Sequence, residues 1–136
     1  MFAYRGGDGA VSPGTSVHRV GDSMYDRYGL LKVTLIVSSF YKGVLESRRL
    51  APHFETVHIP GLVEHQAAFM AAVMGGPRSY SRDDLEEAHR HLRITDDDFD
   101  EMMRLLESTL EDLDIEPDDV DAVCNRYREL RSAIVT

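Results

Sequence analysis

The chain has 136 residues, 43% hydrophobic and 29% charged, with a net charge of −9 at pH 7, values of one globular domain able to bury roughly two-thirds of its unfolded surface. Cys124 is the single cysteine, which excludes an internal disulfide framework and a multi-cysteine zinc site. Residues 96–136 hold 14 acidic against 4 basic groups, whereas residues 1–95 hold 10 against 11, and so acidic a surface repels phosphate backbones and argues against nucleic acid as a partner.

Residues 1–22 are rich in glycine and polar residues and show no period, which predicts a flexible tail ahead of a single domain over residues 23–136. The opening MFAYRGGDGAVSPG lacks the apolar core of a secretory signal. No apolar run approaches the ~18 residues of a membrane helix. A reducing cytoplasm without a membrane partner is the expected setting. After Gly29 the run LLKVTLIVSSFYKGVL has the β-branched content of a strand but is too long for one, and Val33, Ile36, Val37, Phe40, Tyr41 and Val44 keep a helical period.

A second helix is marked in PGLVEHQAAFMAAVMGGP. Pro60 suits a first turn, Gly75-Gly76-Pro77 is a stop, and Leu62, Gln66, Phe69, Met70 and Val73 form one stripe. A short helix follows from about Asp83, capped by Ser81. Thr95 with Asp98 has the spacing of a capping box for a long helix to about Leu113, with the stripe Phe99, Met102, Leu106, Leu110 and Leu113. Pro117 opens the last helix, where Val120, Val123, Tyr127, Leu130 and Ile134 face inward. The expected fold is all-α, without internal repeats.

Polar residues interrupt three of these apolar stripes. In EAHRHLRIT a helix turns about 100° per residue, so His89 and His91 point roughly 200° apart. Leu85, Ala88 and Leu92 share the side of His89, while Asp84 and Glu87 lie nearer His91. His89 therefore faces the interior and His91 faces water. Tyr41 and Gln66 hold the same kind of position on their own helices. Each has a plain reading: a satisfied core histidine, an edge tyrosine with its hydroxyl in water, a glutamine capping a neighbouring carbonyl. A buried amide without a partner costs on the order of 1–3 kcal/mol, so Gln66 needs something to bond. A flat apolar cofactor with a metal at its centre fits the three together. His89 would ligate haem iron on one side, with Tyr41 and Gln66 donating to a small ligand on the other.

At these residues the chain resembles the truncated haemoglobins of group 1, the two-over-two helical globins. The likeness runs from about Met24 to Thr136 and rests on the order and spacing of FYKGVL, RLAPHF, EHQAAFMAAVMGGP and EAHRHLRIT. It implies haem b held in a two-over-two helical sandwich, with His89 as the proximal iron ligand. It also implies Tyr41 and Gln66 as distal hydrogen-bond donors and Phe54 packed on the haem face. Leu62, Phe69 and Met70 would line the distal side, and Tyr80 and Ile94 would join the haem-binding set. His65 is a candidate sixth iron ligand, as the corresponding histidine is in some cyanobacterial relatives. Two departures stand out: Gly29 is alone in RYGLLK where the family often has a glycine pair, and Arg82 replaces the turn glycine in Tyr80-Ser81-Arg82-Asp83.

The resemblance implies reversible binding of dioxygen, nitric oxide and carbon monoxide, with nitric oxide converted to nitrate and a separate reductase supplying electrons. A gas or redox sensor acting through a protein partner is the alternative, and peroxidase-like or nitrite-reducing chemistry ranks third. A monomer or weak dimer is expected.

Overall fold

A computed structural model describes residues 23–76 and 93–135. The element order is α1 (Met24–Glu46), a 3-10 turn (Ala51–Phe54), α2 (Ile59–Val73), α3 (Asp96–Asp112), α4 (Pro117–Arg128) and α5 (Arg131–Ile134). Among the described residues there is no strand, only a parallel bridge between Ile94 and Val135. The all-α expectation therefore holds. The predicted short helix from Asp83 lies outside the described residues, as do the tail, Pro77, Tyr80, His89 and His91.

Helix α1 packs against α2 and α3, and α4 packs against α3 and α2. Its buried face is Val33, Ile36, Val37, Phe40, Tyr41 and Val44, the period read from the sequence. It starts earlier than predicted, at Met24, because Ser23 caps it by accepting from the Asp26 backbone N–H at 3.0 Å. The two helical segments meet at Gly29, whose φ of 81° and ψ of 165° lie in a region open almost only to glycine. A Cβ there would meet nothing within 4 Å, so conformation alone demands the glycine. α1 also has the length and mean hydropathy of a bilayer-spanning helix, contrary to the reading that no run comes near. Its buried face belongs to the core, although Leu31 is 90% exposed.

The Gly29 break turns the first segment towards α4. Both Arg27 guanidinium arms donate to the Asp119 carboxylate at 2.8 Å, and the Tyr28 hydroxyl donates to it at 2.6 Å. Tyr28 in turn accepts the Glu116 backbone N–H at 3.2 Å. Asp119 is thus a buried carboxylate supplied with three donors, the arrangement that makes burial of a charge tolerable. Arg126 of α4 donates to the Val73 carbonyl at the end of α2, leaving that carbonyl satisfied where the helix runs out.

The glycine corner after α2 is close-packed. Gly75 has φ of 88°, and a Cβ on Gly76 would come within 2.7 Å of the Ala71 carbonyl oxygen. The Tyr25 backbone N–H donates to the Met74 carbonyl at 2.9 Å, so the corner and the start of α1 brace each other. The capping box of α3 is present as predicted, Thr95 and Asp98 exchanging bonds at 3.0 and 3.1 Å. The expected single last helix is instead two. α4 ends at Arg128, and a turn at Glu129–Leu130 precedes α5. The restart lets Arg131 reach Asp96 at 2.8 Å and Asp100, and lie 4.5 Å over the Phe99 ring.

Two outcomes follow. Gly29→Ala should destabilise the protein by about 1–3 kcal/mol, the cost of a side chain in that backbone region, read as a lower urea midpoint at unchanged slope. The bonds from Arg27, opposed by burial and aided by Tyr28, hold the Asp119 carboxyl below its ordinary 3.8. A depressed folded value gives stability that is present above 3.8 and lost as pH falls below it. Asp119→Asn should therefore lower Tm at pH 7 by roughly 3–8 °C, and the gap to wild type should narrow in melts below pH 3.8.

Candidate functional site

Tyr41 and Gln66 come together. Tyr41 stands at the centre of the α1 face and Gln66 at the centre of the α2 face, 1% and 3% exposed. Both line a small cavity whose other walls are Val37, Phe40, Met70, Leu106 and Tyr127. The lining is apolar except for two phenols and one amide. Such groups pay a desolvation cost on burial and stay only where hydrogen bonds offset it.

The aromatic neighbours fix the Tyr41 ring. Phe40 meets it edge-on at 5.0 Å and Phe54 at 5.8 Å. Phe54 comes from the 3-10 turn, begun by Ala51 and Pro52 and itself buried. That turn is tied to α3 through a pair the sequence did not signal. His53 Nε2 lies 3.2 Å from Asp98 Oδ2, and Arg49 adds an ion pair to the same carboxylate at 3.6 Å. Burial works to raise the Asp98 carboxyl, but the Thr95 bonds and His53 outweigh it and hold it below the usual carboxylate range. Asp98 thus serves the helix start and the seat of Phe54 together.

Burial, with a smaller effect from Tyr127, pushes the Tyr41 phenol well above 10. It remains protonated, and so remains a donor, throughout the physiological range. The remaining predicted residues divide. Met70 lines the cavity, whereas Leu62 and Phe69 are buried without forming its wall. Phe69 instead packs on Tyr127, ring centres 5.7 Å apart. His65 is half-buried on α2, one position before Gln66. Ile94 is fully buried at the bridge to Val135, just before α3. Among the described residues no cluster of three histidine, cysteine or carboxylate groups is placed to hold a metal.

The model of the bacterial-like globin family matches residues 23–136. The chain belongs to that family. A group 1 truncated haemoglobin of Tetrahymena thermophila is 29% identical over 79 residues, covering 58% of this chain and 65% of that protein. Its counterpart in Tetrahymena pyriformis is 30% identical over 89 residues, covering 65% and 70%. A crystal structure of a Synechococcus 2/2 haemoglobin, with covalently attached haem, superposes with a TM-score of 0.78 at 28% identity. It covers 83% of this chain and 98% of that one. The helices of this globin accordingly form the two-over-two arrangement expected from the sequence.

Haem is the prosthetic group that globins carry, and the donor set can be tested against it. One face of a haem needs an apolar slot with a few hydrogen-bond groups aimed at a small ligand. Tyr41 and Gln66 on an apolar lining, with Phe54 against the tyrosine, have that chemistry. For the opposite face the sequence suggests His89, which lies outside the described residues together with Tyr80. The residue that sequence reading undervalued is Tyr127. It stood on an inward stripe as one more core position, and nothing in its spacing distinguished a wall of the cavity from packing.

Proposed function

We propose that this globin binds dioxygen reversibly, accepts nitric oxide and carbon monoxide at the same place, and converts nitric oxide to nitrate with a separate reductase. The observation that carries the reading is the convergence of Tyr41 and Gln66 on one buried cavity in a member of the globin family. When bound, haem supplies the iron centre at which a diatomic gas is held and oxidised or reduced.

His89 would hold that group from one side. Tyr41 and Gln66 do the rest of the work from the other. A phenol and an amide already placed in an apolar cavity stabilise negative charge on a polar guest without reorganising. The low local dielectric strengthens each of their hydrogen bonds. Apolar walls from Val37, Phe40, Met70 and Leu106 keep bulk water from competing. Donors that retain dioxygen this firmly suit a chemical trap better than a carrier.

His65 is the proposed competitor for the open iron position. In the ferric protein at neutral pH it should give a low-spin spectrum that turns high-spin in His65→Ala. A wild-type spectrum already purely high-spin would remove it from that role.

Tyr41→Phe should raise the dioxygen dissociation rate by about ten- to a hundredfold, the weight of a hydrogen bond to a charged group. Gln66→Leu should do less, and carbon monoxide should respond less than dioxygen to either change. Equal responses of the two gases would make Tyr41 a steric element only. Stopped-flow mixing of the dioxygen-loaded protein with nitric oxide tests the conversion: a rate constant under roughly 10⁴ M⁻¹s⁻¹ would overturn it.

A further inference from the structure

Tyr127 reaches the cavity from α4, the helix that none of the expected site residues occupies. Its side chain is 2% exposed, its ring is packed on Phe69 at 5.7 Å, and its hydroxyl donates to the Met70 sulfur at 3.7 Å. A thioether is among the weakest acceptors a protein offers. Met70 and Tyr127 both line the cavity with Tyr41 and Gln66, so a guest there lies beside a tyrosine whose hydroxyl, among the described residues, bonds to sulfur. Burial pushes the Tyr127 phenol far above 10, so it stays a donor across the physiological range. An oxygen atom with partial negative charge is a better acceptor than sulfur, and the exchange gives up little.

We propose that Tyr127 is a specificity-determining residue of this cavity: a third donor that leaves the Met70 sulfur for a polar diatomic guest. The inference rests on the gas-binding reading above and adds to it a built-in competition. An apolar guest leaves the Tyr127–Met70 bond in place, whereas a polar guest breaks it and gains a hydrogen bond. Met70 thereby sets how readily Tyr127 answers.

The test pairs two substitutions of opposite expected sign in the full haem-loaded chain. Tyr127→Phe keeps the ring on Phe69 and removes only the hydroxyl. It should speed dioxygen dissociation by about three- to thirtyfold and leave carbon monoxide dissociation within about twofold of wild type. Met70→Leu removes the competing acceptor and should slow dioxygen dissociation by about two- to fivefold. A dissociation rate within twofold of wild type in Tyr127→Phe overturns the proposal. Two variants shifting in the same direction, or carbon monoxide responding as strongly as dioxygen, assign the effect to packing and overturn it as well. Tyr41→Phe separates the two levels: if it responds and Tyr127→Phe does not, gas binding stands and the third donor falls.

Discussion

The break at Gly29 lets one helix serve two sides of the molecule. A continuous helix from Met24 would carry Arg27 and Tyr28 along the line set by the buried face of α1. With φ of 81° at one residue, the first segment swings out and delivers both side chains to Asp119 on α4. The second segment is then free to lay Val33 through Val44 across α2 and α3. Since α4 also supplies a wall of the cavity, the distant Asp119 clamp helps decide where that wall stands.

The cavity works by restriction. Two phenols and an amide sit among methyl, thioether and aromatic groups, where desolvation keeps each phenol protonated. Their chemistry is therefore constant across the pH range in which histidines titrate, and only their orientation can change. Orientation is in turn governed by neighbours without charge: Phe40 and Phe54 around Tyr41, Phe69 and Met70 around Tyr127. The Asp98 carboxylate, bonded to His53 and paired with Arg49, lies a residue outside this frame and acts on the turn that carries Phe54.

Much of this was readable beforehand, and the limits have physical causes. Helical period placed Tyr41 and Gln66 on buried faces because a period reports which side of a helix meets the core. Pro60, Pro117 and the Thr95–Asp98 box marked helix starts because they act within one turn. The start at Met24 was missed although Ser23 and Asp26 carry a cap signal, because Gly29 in the same stretch read as a boundary. The split of the last helix at Glu129 was missed for another reason: the gain from restarting comes from Arg131 reaching Asp96, Asp100 and Phe99. Those partners lie more than thirty positions away. Tyr127 and the Asp119 clamp belong to the same class, where long-range geometry decides and local pattern is silent.

Cys124 stands on α4, three residues before Tyr127, buried and with its thiol pushed up to about 11 by that burial. A thiol that is both covered and protonated is nearly inert to alkylating reagents in the closed fold. It becomes reactive only when α4 lifts from its seat, so the labelling rate of this single thiol times the opening of the helix that walls the cavity. The sequence thus carries its own clock for local opening, mounted on the same helix as the proposed third donor.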